Sequence, residues 1–267
     1  MTLIMGVLNV TPDSFSDGGL WLEPDAAIAH AVDLVDEGAD IIDVGGESTR
    51  PGARSVDPVE EQQRVVPVIR ALAARGITVS VDTMHASTAR AAADVGAAII
   101  NDVSGGLADE AMPQAVLDTG LQYVVMHWRG QSDTMDALAT YTDTVAEVRS
   151  ELSARLTDLL DRGVDPSKLI VDPGLGFSKN AHHNWQVLGN LPAFETLGYP
   201  VLIGASRKRF LSALLPEGSP AVDRDAPTAV ISALAAQAGV WAVRVHDVAS
   251  TRLALDVARA WQAGRDD

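Results

Sequence analysis

Residues able to do chemistry recur at one kind of place in this sequence: at or just after the end of a short apolar run. Asn9 follows residues 3–8, and Gly45-Gly46-Glu47-Ser48-Thr49-Arg50-Pro51-Gly52 follows 41–44. Asp82 follows 78–81, Asn101-Asp102 follow 98–100, and His127 follows 123–126. Asp172-Pro173-Gly174 follow 169–171, Ser206-Arg207-Lys208 come soon after 201–203, and Arg244, His246 and Asp247 mark the end of 242–245. Two chemistries are represented. Asp82, Asn101 and Asp172 offer carboxylates and an amide, a set that can grip the N–H-rich edge of a planar heterocycle. A structural carboxylate paired with Lys208 is the alternative use of the acidic members. Arg50, Lys208, Arg244 and His246 suit an anion, with arginine presenting a planar fork to phosphate oxygens. Asn9 adds a hard oxygen of the kind Mg²⁺ takes beside phosphates and water.

Such scattered residues act together only if the fold gathers them. The apolar runs are short, rich in Val and Ile, and not interrupted by alternating polar residues, as in parallel strands covered on both sides. Helical spacing fills the gaps between them. Val145, Val148, Leu152, Leu156, Leu159 and Leu160 form one stripe. Asp57-Pro58-Val59-Glu60 reads as a capped helix start, and Asp165-Pro166 as a tight turn or single helical turn. Gly38, Gly76, Gly96, Gly120, Gly163, Gly198 and Gly239 stand where helices should stop. About eight strand–helix units result, and residues 1–267 read as a single-domain α/β protein, a (β/α)8 TIM barrel, with an open doubly wound sheet as the alternative. In a barrel all the strand ends lie on the face where such folds hold their active sites. The segment 215–227, with three prolines, reads as a surface loop.

Composition narrows the chemistry further. Among 267 residues, 20 Lys+Arg stand against 36 Asp+Glu, a net charge of −16, and hydrophobic residues make up 47%, enough for a folded core. The sequence pI is about 4.6. An acidic surface argues against nucleic acid and against an anionic membrane as partners. No run is apolar enough to span a membrane, and the opening residues lack a basic leader, so a soluble cytoplasmic protein is expected. Absence of Cys excludes thiolate metal sites and cysteine nucleophiles. No G-x-x-x-x-G-K-[ST] or G-x-G-x-x-G occurs, so nucleoside triphosphates and dinucleotides lose their usual support. Ser14, Ser16 and Ser48 have no His–Asp arrangement near them in sequence. His182-His183 read as surface or helix-start residues, and Trp241 and Trp261 as packing residues.

The longer motifs bear a resemblance. Met5-Gly6-Val7-Leu8-Asn9-Val10-Thr11-Pro12-Asp13-Ser14-Phe15-Ser16-Asp17-Gly18-Gly19 resembles the first signature of the dihydropteroate synthases, and Asp43-Val44 through Pro51-Gly52 the second. Val81-Asp82-Thr83, Ile100-Asn101-Asp102-Val103, Asp172-Pro173-Gly174-Leu175-Gly176-Phe177, Ser206-Arg207-Lys208 and Arg244-Val245-His246-Asp247-Val248 follow in the family's order, so the likeness runs over residues 3–257. The resemblance implies a (β/α)8 barrel that joins 6-hydroxymethyl-7,8-dihydropterin diphosphate to p-aminobenzoate with Mg²⁺, in folate synthesis. It implies that Asp82, Asn101, Asp172 and Lys208 hold the pterin. Asn9, Arg50, Arg244 and His246 would hold the diphosphate, with Asn9 on the metal. Thr49, Pro51, Phe177 and Lys208 would shape the p-aminobenzoate pocket. Phe15, Asp17, Arg50 and Lys208 would serve catalysis, the first three from loops that close over the site. The family is commonly dimeric through helices late in the chain, so a homodimer is expected. Arg209 stands where many members carry a small serine, which puts the acceptor's carboxylate contact in question. Two rivals fit less well. A corrinoid-linked methyltransferase shares the acidic and amide set but does not need the cations at 50, 244 and 246. An inactive paralogue would lose the loop motifs, which this chain keeps.

Overall fold

The computed structural model describes residues 1–11, 24–47, 56–131 and 134–264. The first half of the barrel runs β1 (Leu3–Asn9), α1 (Pro24–Asp36), β2 (Ile41–Gly45), α2 (Pro58–Ala73), β3 (Val79–Asp82), α3 (Ala86–Ala93), β4 (Ile99–Asp102) and α4 (Met112–Thr119). The second half runs β5 (Gln122–Met126), α5 (Thr144–Asp161), β6 (Leu169–Asp172), α6 (Ala181–Gly189), the single turn α7 (Pro192–Glu195), β7 (Leu202–Ile203), α8 (Asp225–Gln237), β8 (Ala242–Val245) and α9 (Val248–Ala263). Every paired strand is parallel to its neighbour, in the order β6-β5-β4-β3-β2-β1-β8-β7. A parallel bridge between Val171 and Val201 joins the two ends, with Val171 N–H donating to Pro200 O at 2.9 Å. That contact makes the sheet a nearly closed barrel and removes the open-sheet alternative.

Local signals act as their chemistry requires. Asp57 caps α2 by accepting from Val59 N–H at 2.8 Å, with Pro58 in the first turn. Asp165 likewise caps a single 3-10 turn over Pro166–Lys168. On α5 the stripe buries Val148, Leu152, Leu156 and Leu159, while Leu160 lies at its exposed edge. Asn180 and His183 form a reciprocal cap at the start of α6, the helix-start role expected of the histidine pair. Trp241 packs on the inner core, whereas Trp261 is 64% exposed on α9, unlike the packing role expected. The segment 215–227 is a loop only in part: Ala221–Arg224 form a 3-10 turn and Asp225 opens α8. No described helix is long and apolar enough to cross a membrane.

The strands alternate between two cores, which the uniform apolar runs conceal. One face packs against the surrounding helices, with Ile42, Val44, Val81, Ile100 and Val125. The other fills the barrel with Met5, Ile41, Ile99, Val124, Ile170, Leu202 and Ala242. The inner set closes the lower barrel with side chains, leaving the next layer to face the C-terminal rim.

Candidate functional site

Two residues beyond the inner plug, strand periodicity returns a side chain to the same face. Ile41 gives Asp43, Ile99 gives Asn101, Val124 gives Met126, Ile170 gives Asp172, Leu202 gives Gly204 and Ala242 gives Arg244. Asp82 follows Ser80 in the same way. The functional residues are therefore the upper layer of the barrel interior. Asp82, Asn101 and Asp172 belong to the strands themselves, later than their polarity suggested, because the ladder continues through Asp82–Asn101 and Met126–Asp172. Adjacent Asp102 points the other way. It accepts from the backbone N–H of Ser104 and Gly106, the Ser104 hydroxyl and Tyr123 Oη–H, so it shapes a turn and faces no substrate.

Arg244 ties the layer together. Its Nε–H donates to Asp43 Oδ2 at 2.6 Å and its Nη2–H to Asp82 Oδ2 at 2.6 Å. Asn101 Nδ2–H donates to the same Asp43 oxygen at 2.9 Å. Burial works against the charge of Arg244, but Asp43 and Asp82 more than offset it and hold the guanidinium protonated. Burial pushes Asp82 above the usual carboxylate range, with Arg244 opposing and Asp43 adding to the rise. Asp43 is the residue that sequence reasoning missed. It is fully buried, and its Oδ1 has no hydrogen-bond partner among the described residues. A carboxylate inside an otherwise apolar strand was the signal available, since such groups are seldom buried unpaired.

Asp172 and Lys208 form the second side. Asp172 Oδ1 accepts from Gly174 N–H at 2.7 Å, and burial raises its pKa against the pull of Lys208. Lys208 Nζ donates to Leu175 O and lies 4.9 Å from the centre of the Phe177 ring. Burial lowers Lys208 to about 8, with Asp172 opposing. Gly204 stands between them: a Cβ there would lie 3.8 Å from Lys208 Nζ, 3.9 Å from Arg244 Cβ and 3.9 Å from Asp172 Oδ2. The missing side chain leaves a slot bounded by the Lys208 ammonium, the stem of Arg244 and the Asp172 carboxylate. Gly176, at φ +75°, is required more strictly, because a Cβ would meet Lys208 Cδ at 2.8 Å.

The rim after β7 and β8 is braced from outside. Ser206 Oγ and His246 Nδ1 lie within hydrogen-bond distance at 2.8 Å, and His246 N–H donates to Ser206 Oγ at 3.1 Å. Arg207 turns away from the slot. It makes two 2.7 Å hydrogen bonds to Asp225, and Arg224 Nη1–H donates to its carbonyl at 2.9 Å, which secures a left-handed backbone at φ 57°. Arg209 also turns outward, pairing with Asp136 at 2.9 Å while 64% exposed at its side chain. Asn9 ends β1 opposite Gly45. Phe15, Asp17, Thr49, Arg50 and Pro51 lie outside the described residues. The last described residues before the Thr49–Pro51 motif are held by α2, where Arg64 Nη1–H donates to Gly46 O at 2.7 Å.

Fold and rim together define a (β/α)8 enzyme whose strand ends present acidic and amide acceptors beside cations. The model of the family described as "Pterin binding enzyme" matches residues 5–246. The dihydropteroate synthase of Mycobacterium leprae is 54% identical over 263 residues, 97% of this chain and 93% of that relative. A Yersinia pestis dihydropteroate synthase structure with a sulfonamide drug superposes at TM-score 0.93 with 38% identity, covering 98% of this chain and 94% of the other. A Xanthomonas albilineans dihydropteroate synthase in complex with 7,8-dihydropteroate superposes at 0.88 with 41% identity, covering 98% and 94%. This chain belongs to the pterin binding enzymes and, among them, to the dihydropteroate synthases, which are transferases.

Proposed function

We propose that this chain condenses 6-hydroxymethyl-7,8-dihydropterin diphosphate with p-aminobenzoate by a dissociative displacement, giving 7,8-dihydropteroate and pyrophosphate. The observation that carries the reading is the single layer holding Asp82, Asn101 and Asp172 beside Arg244 and Lys208. The Xanthomonas relative, with 7,8-dihydropteroate bound, supports it. Asp82, Asn101 and Asp172 bind the pterin edge. Arg244 and His246 bind the diphosphate, with Arg50 contributing. The C–O bond to the pterin methylene breaks and its electron pair leaves with diphosphate, whose growing charge the cations stabilise. The positive charge left on the methylene spreads into the ring, where Asp82 and Asp172 favour it. The amine of p-aminobenzoate donates its lone pair to that carbon and loses a proton. Phe177 and Lys208 shape the acceptor pocket, together with Thr49 and Pro51, while Phe15 and Asp17 help to exclude water.

The residues fit Mg²⁺. Asn9 Oδ1 lies 3.6 Å from where a Cβ on Gly45 would stand, so glycine leaves this hard oxygen facing a gap at the end of β1. Asn9 would hold the ion, which supplies charge neutralisation to the leaving group when bound. Purified protein given both substrates and Mg²⁺ should release pyrophosphate, and omitting p-aminobenzoate should abolish that release. Release independent of the acceptor refutes the synthase reading.

The working form is a homodimer through α8 and α9. Val230 and Leu234 on α8, and Leu253, Val257 and Trp261 on α9, are 59–66% exposed at four-residue spacings. The two helices pack together, so these side chains form neighbouring apolar ridges suited to a second copy.

A further inference from the structure

Lys179 is only 6% exposed, and none of the roles above uses it. It stands two residues after Phe177, at the end of the loop joining β6 to α6. Its Nζ lies 2.9 Å from His127 Nδ1, 3.0 Å from Gly174 O and 3.2 Å from Phe177 O. An ammonium has three N–H donors and no acceptor, so the three acceptors match the charged form one for one. Accepting at Nδ1 requires His127 to carry its proton on Nε2, which donates to Glu151 Oε2 at 2.9 Å. The charges agree with that assignment. Burial holds His127 down to about 4, so it is neutral near pH 7. Its hydrogen bond, with Arg129, holds Glu151 ionised, at about 2. Burial lowers Lys179 to about 7, with Asp172 opposing, so the charged form that the three acceptors match is held at and below neutral pH.

The network returns to the same loop by a second route. Arg129 donates to Glu151 and lies 3.9 Å above the Tyr141 ring, and Tyr141 Oη–H donates to Ser178 O at 2.9 Å. Ser178 has a left-handed backbone at φ 46°, a conformation that costs a non-glycine residue about 1 kcal/mol and needs surrounding support. Between these ties Leu175 offers its carbonyl to Lys208 and Phe177 sets its ring near the same ammonium.

We propose that Lys179 is a positioning residue for the acceptor half of the reaction: by holding the carbonyls of Gly174 and Phe177 it fixes the loop that presents Phe177 and Lys208 to p-aminobenzoate. The inference rests on the reading that those two residues shape the acceptor pocket. Its N–H groups are directed to the loop and to His127, so it acts through its neighbours and not on substrate.

The test separates the two substrates. Lys179→Met keeps the length and removes the donors. It should raise KM for p-aminobenzoate about tenfold, because small displacements of positioning groups are costly. The Kd for the pterin diphosphate, measured by calorimetry without acceptor, should stay within about twofold. In Lys179→Ala, propylammonium should restore the acceptor KM and 1-propanol should not, which distinguishes a missing ammonium from missing packing. Tyr141→Phe, at a half-buried position, cuts the second tie and should raise the acceptor KM alone; an unchanged acceptor KM there overturns the premise that this loop's position sets acceptor binding, even if both lysine variants fail to fold. An unchanged acceptor KM, a parallel loss of both affinities, or equal rescue by propanol overturns the proposal while wild-type activity leaves the synthase reading standing. A wild type without acceptor-dependent turnover overturns both.

Discussion

At the scale of single residues, Asp43 organises the site without a predicted contact to substrate. Its Oδ2 receives both Arg244 and Asn101, so it orients one group proposed for the pterin and one proposed for the diphosphate. Asp43→Asn should lower the urea unfolding free energy by about 3 kcal/mol, since removing one partner strands a buried guanidinium's charge. A loss below about 1 kcal/mol would show that Asp82 alone suffices for Arg244. His127 supplies a pH dependence of definite sign. Its folded pKa, about 4, lies below the usual 6.5. Its contribution is fully present above pH 6.5 and is lost as pH falls through 4, because the unfolded chain takes up the proton first. His127→Gln should therefore flatten the slope of unfolding free energy against pH between 6.5 and 4, by up to about 1 kcal/mol per pH unit. Identical slopes in wild type and variant would remove the buried neutral imidazole from the account. Asp82, Asn101, Asp172, Lys208 and Arg244 were legible because polar groups at strand ends are conspicuous. The Arg244–Asp82 contact was not, because the two residues lie 162 positions apart and their chemistries suit different parts of a substrate. Pairing across the barrel depends on strand stagger, which no local motif encodes.

At the scale of elements, the strand-to-helix loops do the positioning. The turn after β6 places Leu175 O, Gly176 and Phe177 around one lysine. Gly176→Ala should cost about 1–2 kcal/mol of stability from its positive φ alone. It should also weaken p-aminobenzoate binding by pushing Lys208 aside, read as a higher acceptor KM at unchanged pterin affinity. If stability falls while acceptor KM does not, the Lys208 stem is free to move and the close approach is unimportant. The eight repeats, the Asp57 cap and the 3-10 turn at Pro166 were readable because they are local signals. Two features were not. The alternation of inner and outer faces was hidden because both faces are apolar in the lower barrel. The prolines around Asp225 suggest a loop, but its bidentate hold on Arg207 fixes the start of α8.

At the scale of the molecule, the net charge of −16 is compatible with an anionic substrate because the chain's cations are unevenly used. Arg64, Arg90, Arg129, Arg155, Arg162 and Arg252 are engaged in ion pairs or backbone contacts beyond the slot. Lys208 and Arg244 lie at the rim, within a body that is otherwise acidic. The α8–α9 face carries the remaining prediction. Leu234→Glu with Val257→Glu should convert a dimer to a monomer in sedimentation velocity, because placing four like charges across a two-fold axis opposes association. A wild-type monomer at micromolar concentration, or a dimer unaffected by both changes, would refute this face as the interface. Helix α8 reaches from that face to the active-site rim. Its first residue holds Arg207, whose left-handed backbone precedes Lys208, and Val230 and Leu234 follow about one and a half and two and a half turns later. Clamping α8 at a symmetry axis would therefore stiffen the lysine's approach in both subunits at once, making quaternary structure a mechanical support for chemistry that neither subunit shares with the other.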